Sequence, residues 1–184
     1  MPSISIILVA AVADNGVIGQ EGRLPWRLKS EMAHFRALTM GKPVVVGRKT
    51  YLSFNRRPLP GRTNIVVSRD PDFMAPGALV APNLANALAA ARADALRRGA
   101  DTIAVVGGAE IYAATMALAD RLVITRVHLR PSGDTKFPNI DPAIWTEAGR
   151  TECQAGPGDE AGFTLVEYVR IESAAPANGV RPGD

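Results

Sequence analysis

Cysteine and histidine are scarce in this chain of 184 residues. The single cysteine, Cys153, cannot form a disulfide within the chain, and a metal site of several cysteines is excluded. The two histidines, His34 and His128, lack the spacing of metal ligands, so we predict that the protein binds no metal. A chain of this length buries roughly 70% of its unfolded surface, so one hydrophobic core suffices without a disulfide or metal.

Long apolar runs and a strong charge of one sign are also missing. No run approaches the ~18 residues of a membrane-spanning helix. The apolar stretch at residues 4–12 has no basic flank, which indicates a strand rather than a signal peptide. The 18 acidic residues nearly balance the 21 basic ones, which disfavours a nucleic-acid-binding protein. Arginine supplies 17 of those basic residues, which suits a small anionic ligand or equally reflects a GC-rich coding bias.

Apolar segments alternate with segments of helical periodicity along most of the chain. Strands are predicted at residues 4–12, 43–47, 64–68, 78–80, 102–106, 121–129, 145–153 and 163–171. Helices are predicted at residues 30–40, 83–98 and 109–119, with Asn83 and Gly99 as the N-cap and C′ residues of the second. This alternation indicates an α/β fold with a mainly parallel sheet and a final antiparallel hairpin. Residues 173–184 are predicted to form a flexible tail beyond one domain of residues 1–172.

Glu31 is the first candidate for chemistry, because it opens a predicted helix on the apolar face of that helix. Ser30 is the expected N-cap, and Phe35 and Leu38 follow Glu31 at helical spacing. Burial would raise the pKa of this carboxyl group, whereas the helix N-terminus would lower that pKa through a favourable interaction of about 0.3–1 kcal/mol with the charged form. Two interpretations stay open here, a protonatable group in an apolar cleft or a rim residue placed for the helix dipole.

Two predicted strands end in cations and hydroxyl groups. The segment Gly47-Arg48-Lys49-Thr50 follows one strand, and Ser68-Arg69 ends the next. Ligands of open α/β sheets bind at the carboxyl ends of strands, where arginine or serine favours a 2′-phosphate over a free 2′-hydroxyl. The two ends therefore suggest a phosphorylated dinucleotide, and two basic turns facing solvent are the alternative.

Glycines mark two further candidate segments. Gly107-Gly108 joins a strand to a helix, where backbone can approach a pyrophosphate closely, although Glu110 in the first turn would not help to bind an anion. The loop at residues 15–19, followed by Leu24-Pro25-Trp26, is typical of a mobile lid, with Trp26 as a core residue in the alternative interpretation.

Seven motifs in chain order connect these observations. They are Val17-Ile18-Gly19, Leu24-Pro25-Trp26, Glu31 with Phe35, Gly47-Arg48-Lys49-Thr50, the RPLPGR segment at residues 57–62, Val106-Gly107-Gly108 and the DTKF segment at residues 134–137. Together they closely resemble dihydrofolate reductases of the chromosomal bacterial type over roughly residues 3–171. The resemblance implies one domain with an eight-stranded, mostly parallel sheet, an antiparallel C-terminal strand and four flanking helices.

The resemblance also implies an activity. The protein is expected to reduce 7,8-dihydrofolate to tetrahydrofolate with NADPH, by hydride transfer to C6 and protonation at N5. It is expected to be a cytoplasmic monomer that binds dihydrofolate and antifolates but neither nucleic acid nor membranes. A reductase of the same fold that acts on a pyrimidine intermediate of riboflavin synthesis is the alternative, and Glu31 together with the RPLPGR segment favours folate.

The resemblance assigns roles to single positions. The catalytic group is Leu24, Trp26, Glu31, Tyr112 and Thr125. The substrate site is expected to comprise Val9, Ala10, Ala11, Glu31, Met32, Phe35, Arg36, Phe54, Arg57, Leu59, Arg62, Val106 and Thr125. The cofactor site is expected to comprise Ala11, Ile18, Gly19, Gly47, Arg48, Lys49, Thr50, Ser68, Arg69, Val106, Gly107, Gly108, Ala109, Glu110, Ile111 and Tyr112.

Some assignments are more detailed. Glu31 would bond the pterin 2-amino group and N3, Thr125 would support it, and Trp26 would hold a water beside it. Arg62 would grip the glutamate α-carboxylate, and Gly107-Gly108 is where the family carries a cis peptide. An extra residue near position 55 leaves Arg56 as an alternative to Arg57, and residues 154–162 match no motif.

Overall fold

The computed structural model describes residues 3–171, which contain ten strands and four helices. The strands are β1 (Ser5–Ala13), β2 (Val17–Gly19), β3 (Pro43–Gly47), β4 (Thr63–Val67), β5 (Leu79–Ala81), β6 (Thr102–Val105), β7 (Arg121–Val127), β8 (Thr135–Lys136), β9 (Trp145–Cys153) and β10 (Phe163–Arg170). The helices are α1 (Lys29–Thr39), α2 (Arg48–Ser53), α3 (Leu84–Arg98) and α4 (Ala109–Thr115). The tail predicted at residues 173–184 lies outside the described residues.

Eight strands form one sheet in the order β5-β4-β3-β6-β1-β7-β10-β9. Neighbours from β5 to β7 pair in parallel, whereas β10 runs antiparallel to both β7 and β9. The short strands β2 and β8 pair separately. The predicted fold, an eight-stranded and mostly parallel sheet with an antiparallel C-terminal strand and four helices, is thus confirmed.

Burial on both faces explains why the central strands are apolar without alternation. In β3, Val44, Val45 and Val46 are fully buried, because helices cover the two faces of the sheet. The cluster on one face includes residues of α3 and α4, and the cluster on the other face includes Phe35 and Leu38 of α1. Successive residues of β1 point to opposite faces, so this strand contributes to both clusters.

Helix α3 has the ends that its sequence predicts. The side chain of Asn83 accepts a hydrogen bond from the backbone N–H of Asn86 at 2.9 Å. Gly99 terminates the helix in the left-handed conformation, with φ of 69°. Both signals lie beside the helix in the chain, and this explains why the sequence alone identifies them.

Two predicted helix ends are wrong. Ser30 is not the N-cap of α1, because the helix begins at Lys29 after Leu28, which provides no side-chain cap. Helix α4 ends at Thr115 rather than at residue 119. The Thr115 hydroxyl donates back to the carbonyl of Ile111 at 2.7 Å, and the chain then turns so that Asp120 bonds to the backbone of Ile6 in β1.

Among residues 3–171, none of the helices combines the length and the apolar character needed to cross a bilayer.

Candidate active site

Glu31 lies in the first turn of α1 and is buried between the helix and the sheet, with 7% of its surface exposed. Its Oε1 accepts a hydrogen bond at 3.2 Å from the hydroxyl of Thr125, a buried residue of β7. Burial raises the pKa of this carboxyl group, and the bond from Thr125 lowers it to a smaller extent. The buried position expected in one interpretation of Glu31 is therefore confirmed, and the position on the rim is wrong.

Tyr112 ties α4 to the strand beside this carboxyl group. Its hydroxyl donates a hydrogen bond to the carbonyl oxygen of Val9 at 2.6 Å. Burial raises the pKa of Tyr112, and the negative charge of Glu31 raises it further. The phenol therefore stays neutral, and its pKa depends in part on the charge of Glu31.

Trp26 is a core residue that also presents a polar atom. The side chain is 8% exposed and packs in a cluster with Leu28, Val127 and Phe163. Its indole N–H is buried and has no acceptor among residues 3–171. Buried N–H groups are rarely left unpaired, so this atom fits a polar partner outside the protein.

The turns after β3 and β6 meet at glycines. The N–H of Gly47 donates to the carbonyl of Gly107 at 2.8 Å, and the Gly107–Gly108 peptide is cis, as the resemblance implies. A Cβ at Gly108 would lie 2.8 Å from the Thr50 hydroxyl oxygen, and one at Gly47 would lie 3.2 Å from Ile111 Cγ1. Glycine at these two positions thus lets the turns pack closely, because a Cβ would crowd Thr50 and Ile111.

Arg48 and Ser68 come together with an acid that the sequence analysis did not single out. Nη1 of Arg48 lies 2.8 Å from Oδ2 of Asp70, and the guanidinium group lies over the ring of Phe73 at 5.7 Å. The Ser68 hydroxyl accepts the backbone N–H of Asp70 at 3.2 Å. A signal for Asp70 was present, because an acid at such a strand end is typical of contacts with a 2′-hydroxyl.

Arg62 is held in place on both sides. Its Nε donates to the carbonyl of Pro60 at 2.9 Å, and its Nη1 donates to the hydroxyl of Thr39 at 3.0 Å. Burial lowers the pKa of Arg62, and the positive charge of Arg36 lowers it further. The guanidinium group of Arg62 therefore lies within the electrostatic influence of a second cation, and a bound anion would relieve their repulsion. The sequence analysis missed Thr39, because nothing local distinguishes it from a residue that merely ends the helix.

The segment at residues 14–26, which contains β2, is hydrogen-bonded to the start of the DTKF motif. The backbone N–H of Glu21 donates to Oδ2 of Asp134 at 2.9 Å, and the hydroxyl of Thr135 donates to Oδ1 at 2.7 Å. These two bonds lower the pKa of Asp134, with the larger effect from Glu21. Leu24, farther along the predicted lid, is 51% exposed.

The loop between β9 and β10, which matches no motif, caps the helix that carries Glu31. Oδ1 of Asp159 accepts the backbone N–H of Ser30 at 2.9 Å, and Oδ2 accepts the N–H of Gly156 at 2.9 Å. These bonds lower the pKa of Asp159, with the largest effect from the Ser30 backbone. Asp159 thus supplies the cap that Leu28 lacks.

The remaining predicted site residues differ in exposure. Those that are buried or half-buried include Val9, Ala10, Ala11, Ile18, Gly19, Phe35, Thr50, Phe54, Leu59, Val106, Ala109 and Ile111. Those that are exposed are Leu24, Met32, Arg36, Lys49, Arg57, Arg69 and Glu110. The side chain of Ala10 packs in the cluster on the α3 side of the sheet, away from the Phe35 side. Arg57 donates to the carbonyl of Leu52.

Comparisons with known proteins point to one family. A family model described as dihydrofolate reductase matches residues 5–170. The dihydrofolate reductase of Neisseria meningitidis serogroup A is 44% identical over 167 residues, covering 91% of this chain and 99% of that protein. Dihydrofolate reductase type 3 of Salmonella typhimurium is 40% identical over 166 residues, covering 90% of this chain and 96% of that protein.

A solved structure is similar as well. The dihydrofolate reductase of Enterococcus faecalis, complexed with NADP(H) and RAB-propyl, superposes with a TM-score of 0.80 and 28% identity. The superposition covers 91% of this chain and 97% of that one.

Proposed function

This chain belongs to the dihydrofolate reductase family, and from that premise we propose how its own residues carry out the reaction. The protein reduces 7,8-dihydrofolate to 5,6,7,8-tetrahydrofolate with NADPH, a reaction that serves one-carbon metabolism and the synthesis of thymidylate and purines. A reductase of a riboflavin precursor is not favoured, because relatives at 40–44% identity are named dihydrofolate reductases. The buried pair of Glu31 and Thr125 carries the assignment of the active site.

The turns after β3 and β6 fit the cofactor. Gly47 and Gly108 lack side chains, which lets the two turns pack closely against Ile111 and Thr50. The pyrophosphate of the cofactor would lie against the backbone N–H groups of these turns. Arg48, together with the nearby Ser68 hydroxyl, provides donors for the 2′-phosphate. When bound, NADPH supplies the hydride that C6 of dihydrofolate accepts.

Glu31 anchors the pterin. Its carboxylate accepts hydrogen bonds from the 2-amino group and N3 of the ring, while Thr125 keeps Oε1 oriented. These bonds are strong because the group is buried, where water does not weaken the electrostatic attraction. A carboxylate bound at N3 is not beside N5, so the proton for N5 arrives through water. The unpaired indole N–H of Trp26 is suited to hold a water beside the carboxylate.

The glutamate end of the substrate binds at Arg62. Because Pro60 and Thr39 already orient the guanidinium group, little rotamer freedom is lost when it grips the α-carboxylate with two parallel bonds. Arg36 adds a second positive charge nearby. Phe35, Phe54 and Leu59, which pack against the same apolar cluster, provide walls for the aminobenzoyl ring.

The organisation of the protein is simple in this proposal. A domain of residues 1–172 acts as a cytoplasmic monomer, with a tail at residues 173–184. The balance of 18 acidic and 21 basic residues supports the absence of a nucleic-acid partner.

Glu31→Gln tests the proposal in the full-length chain. NADPH oxidation with dihydrofolate is followed at the nicotinamide absorbance band, and a pyrimidine substrate is tested in parallel. We expect turnover near neutral pH to fall at least ~100-fold, because a buried acid is replaced by an amide of the same shape. NADPH affinity should be unchanged.

Glu147→Gln is the matched control, since Glu147 is exposed on β9 and pairs with Arg150. This control variant should keep normal turnover. A diaminopyrimidine antifolate should inhibit the wild type and bind the Glu31→Gln variant far more weakly. Near-normal turnover by the Glu31→Gln variant would refute the role of Glu31.

A further inference from the structure

Asp70 forms an ion pair with Arg48, the arginine that is proposed to bind the 2′-phosphate. Its Oδ2 lies 2.8 Å from Nη1 of Arg48, and the two side chains are 44% and 38% exposed. The pair is thus formed by side chains that a cofactor can reach. A carboxylate at this point has the opposite effect to Arg48 on a bound phosphate, because it repels the phosphate while it attracts the guanidinium group.

The loop after β4 holds Asp70 in this orientation. Oδ1 of Asp70 accepts the backbone N–H of Asp72 at 3.0 Å, and the Asp70 N–H donates to the Ser68 hydroxyl at 3.2 Å. These local bonds use one carboxylate oxygen and leave the other directed at Arg48. The ring of Phe73 holds the guanidinium group from a further side.

We propose that Asp70 determines coenzyme specificity, because it holds Arg48 in an ion pair and thereby reduces the preference of this enzyme for NADPH over NADH. The 2′-phosphate must displace a carboxylate from Arg48 and then remain close to that negative charge. The 2′-hydroxyl of NADH meets no such repulsion and can donate a hydrogen bond to the carboxylate. This inference rests on the proposed assignment of Arg48 to the 2′-phosphate.

The test compares the ratio of kcat/KM for NADPH to that for NADH in wild type and in variants. Asp70→Asn keeps the carbonyl acceptor for Asp72 but removes the charge. We expect this variant to raise the ratio about five- to tenfold, mainly through a lower KM for NADPH. Fluorescence titration with each dinucleotide should show the same change in the ratio of Kd values.

Two further variants separate the alternatives. Asp72→Asn is the matched control, because the Asp72 carboxylate makes no ion pair within residues 3–171, and it should change the ratio less than twofold. Arg48→Gln should lower the ratio at least ~10-fold. In the double variant of Arg48→Gln and Asp70→Asn, the Asp70→Asn substitution should raise the ratio far less than it does alone, because the acid acts through Arg48.

The outcomes distinguish a failure of the role of Asp70 from a failure of the assignment of Arg48 to the 2′-phosphate. An unchanged ratio in Arg48→Gln would show that the 2′-phosphate binds elsewhere, and the proposed cofactor site would fail. A lowered ratio in Arg48→Gln, with no rise in Asp70→Asn, would overturn only the role of Asp70. An equal rise in Asp72→Asn, or a full Asp70→Asn effect without Arg48, would also overturn it, since either result indicates a general charge effect.

Discussion

Asp159→Ala tests whether a distant loop positions the catalytic carboxylate. The substitution removes the acceptor of the Ser30 N–H in the first turn of α1, and Leu28 supplies no replacement. It also removes the acceptor of the Gly156 N–H. Both losses destabilise the folded chain, because each N–H group is left without its acceptor. In a chain of this size we expect a fall in Tm of ~2–8 °C, measured by thermal denaturation.

The same substitution should affect substrate more than cofactor. Glu31 follows Ser30 directly, so a frayed first turn would misplace its carboxylate relative to Thr125. We expect the KM for dihydrofolate to rise about three- to tenfold, while the Kd for NADPH stays unchanged. Asp159→Asn keeps a carbonyl acceptor and should restore most of the wild-type KM.

Asn83→Ala provides the matched control for this experiment. It removes a cap of the same kind from α3, a helix that carries none of the proposed site residues. It should lower Tm by a similar amount and leave the KM for dihydrofolate unaltered. If Asp159→Ala lowers stability but leaves KM as Asn83→Ala does, the loop stabilises the fold without positioning Glu31, and the reasoning is refuted.

Three other predictions follow from single contacts. Burial raises the pKa of Glu31 above 4.5, so the stabilising contribution of this group to folding is complete below pH 4.5 and is lost as pH rises through the raised pKa. Thermal melts should therefore show Glu31→Gln more stable than wild type at about pH 8. A difference in Tm between the two proteins that does not change with pH would contradict this. Gly108→Ala places a Cβ 2.8 Å from the Thr50 hydroxyl oxygen, so the Kd for NADPH, measured by fluorescence titration, should rise at least ~10-fold. An unchanged Kd would indicate that the cofactor does not depend on the close packing of Gly108 and Thr50. Thr39→Val removes one partner of Arg62, so the KM for dihydrofolate should rise about fivefold, whereas a dihydropterin without glutamate should be reduced as before.

Local signals in the sequence were sufficient for most of the fold. The apolar run of β3 is buried on both faces, and Asn83 and Gly99 end α3 as their residue types predict. Such features depend on neighbours in the chain, because periodicity and capping act over a few residues. The motif order likewise led to the family, which the comparisons confirm. The N-cap predicted at Ser30 is wrong, because the cap of α1 is supplied by Asp159, which is far from the helix in the sequence.

Only the tertiary structure decided the electrostatics of the site. The sequence left Glu31 either buried or on a rim, and the choice depended on β7, which brings Thr125 to it across 94 residues. Asp70 reaches Arg48 across 22 residues, and Asp159 reaches Ser30 across 129. The charge state and position of an ionisable group depend on the groups packed around it in space, and a pattern along the chain carries no record of partners that folding brings from so far away.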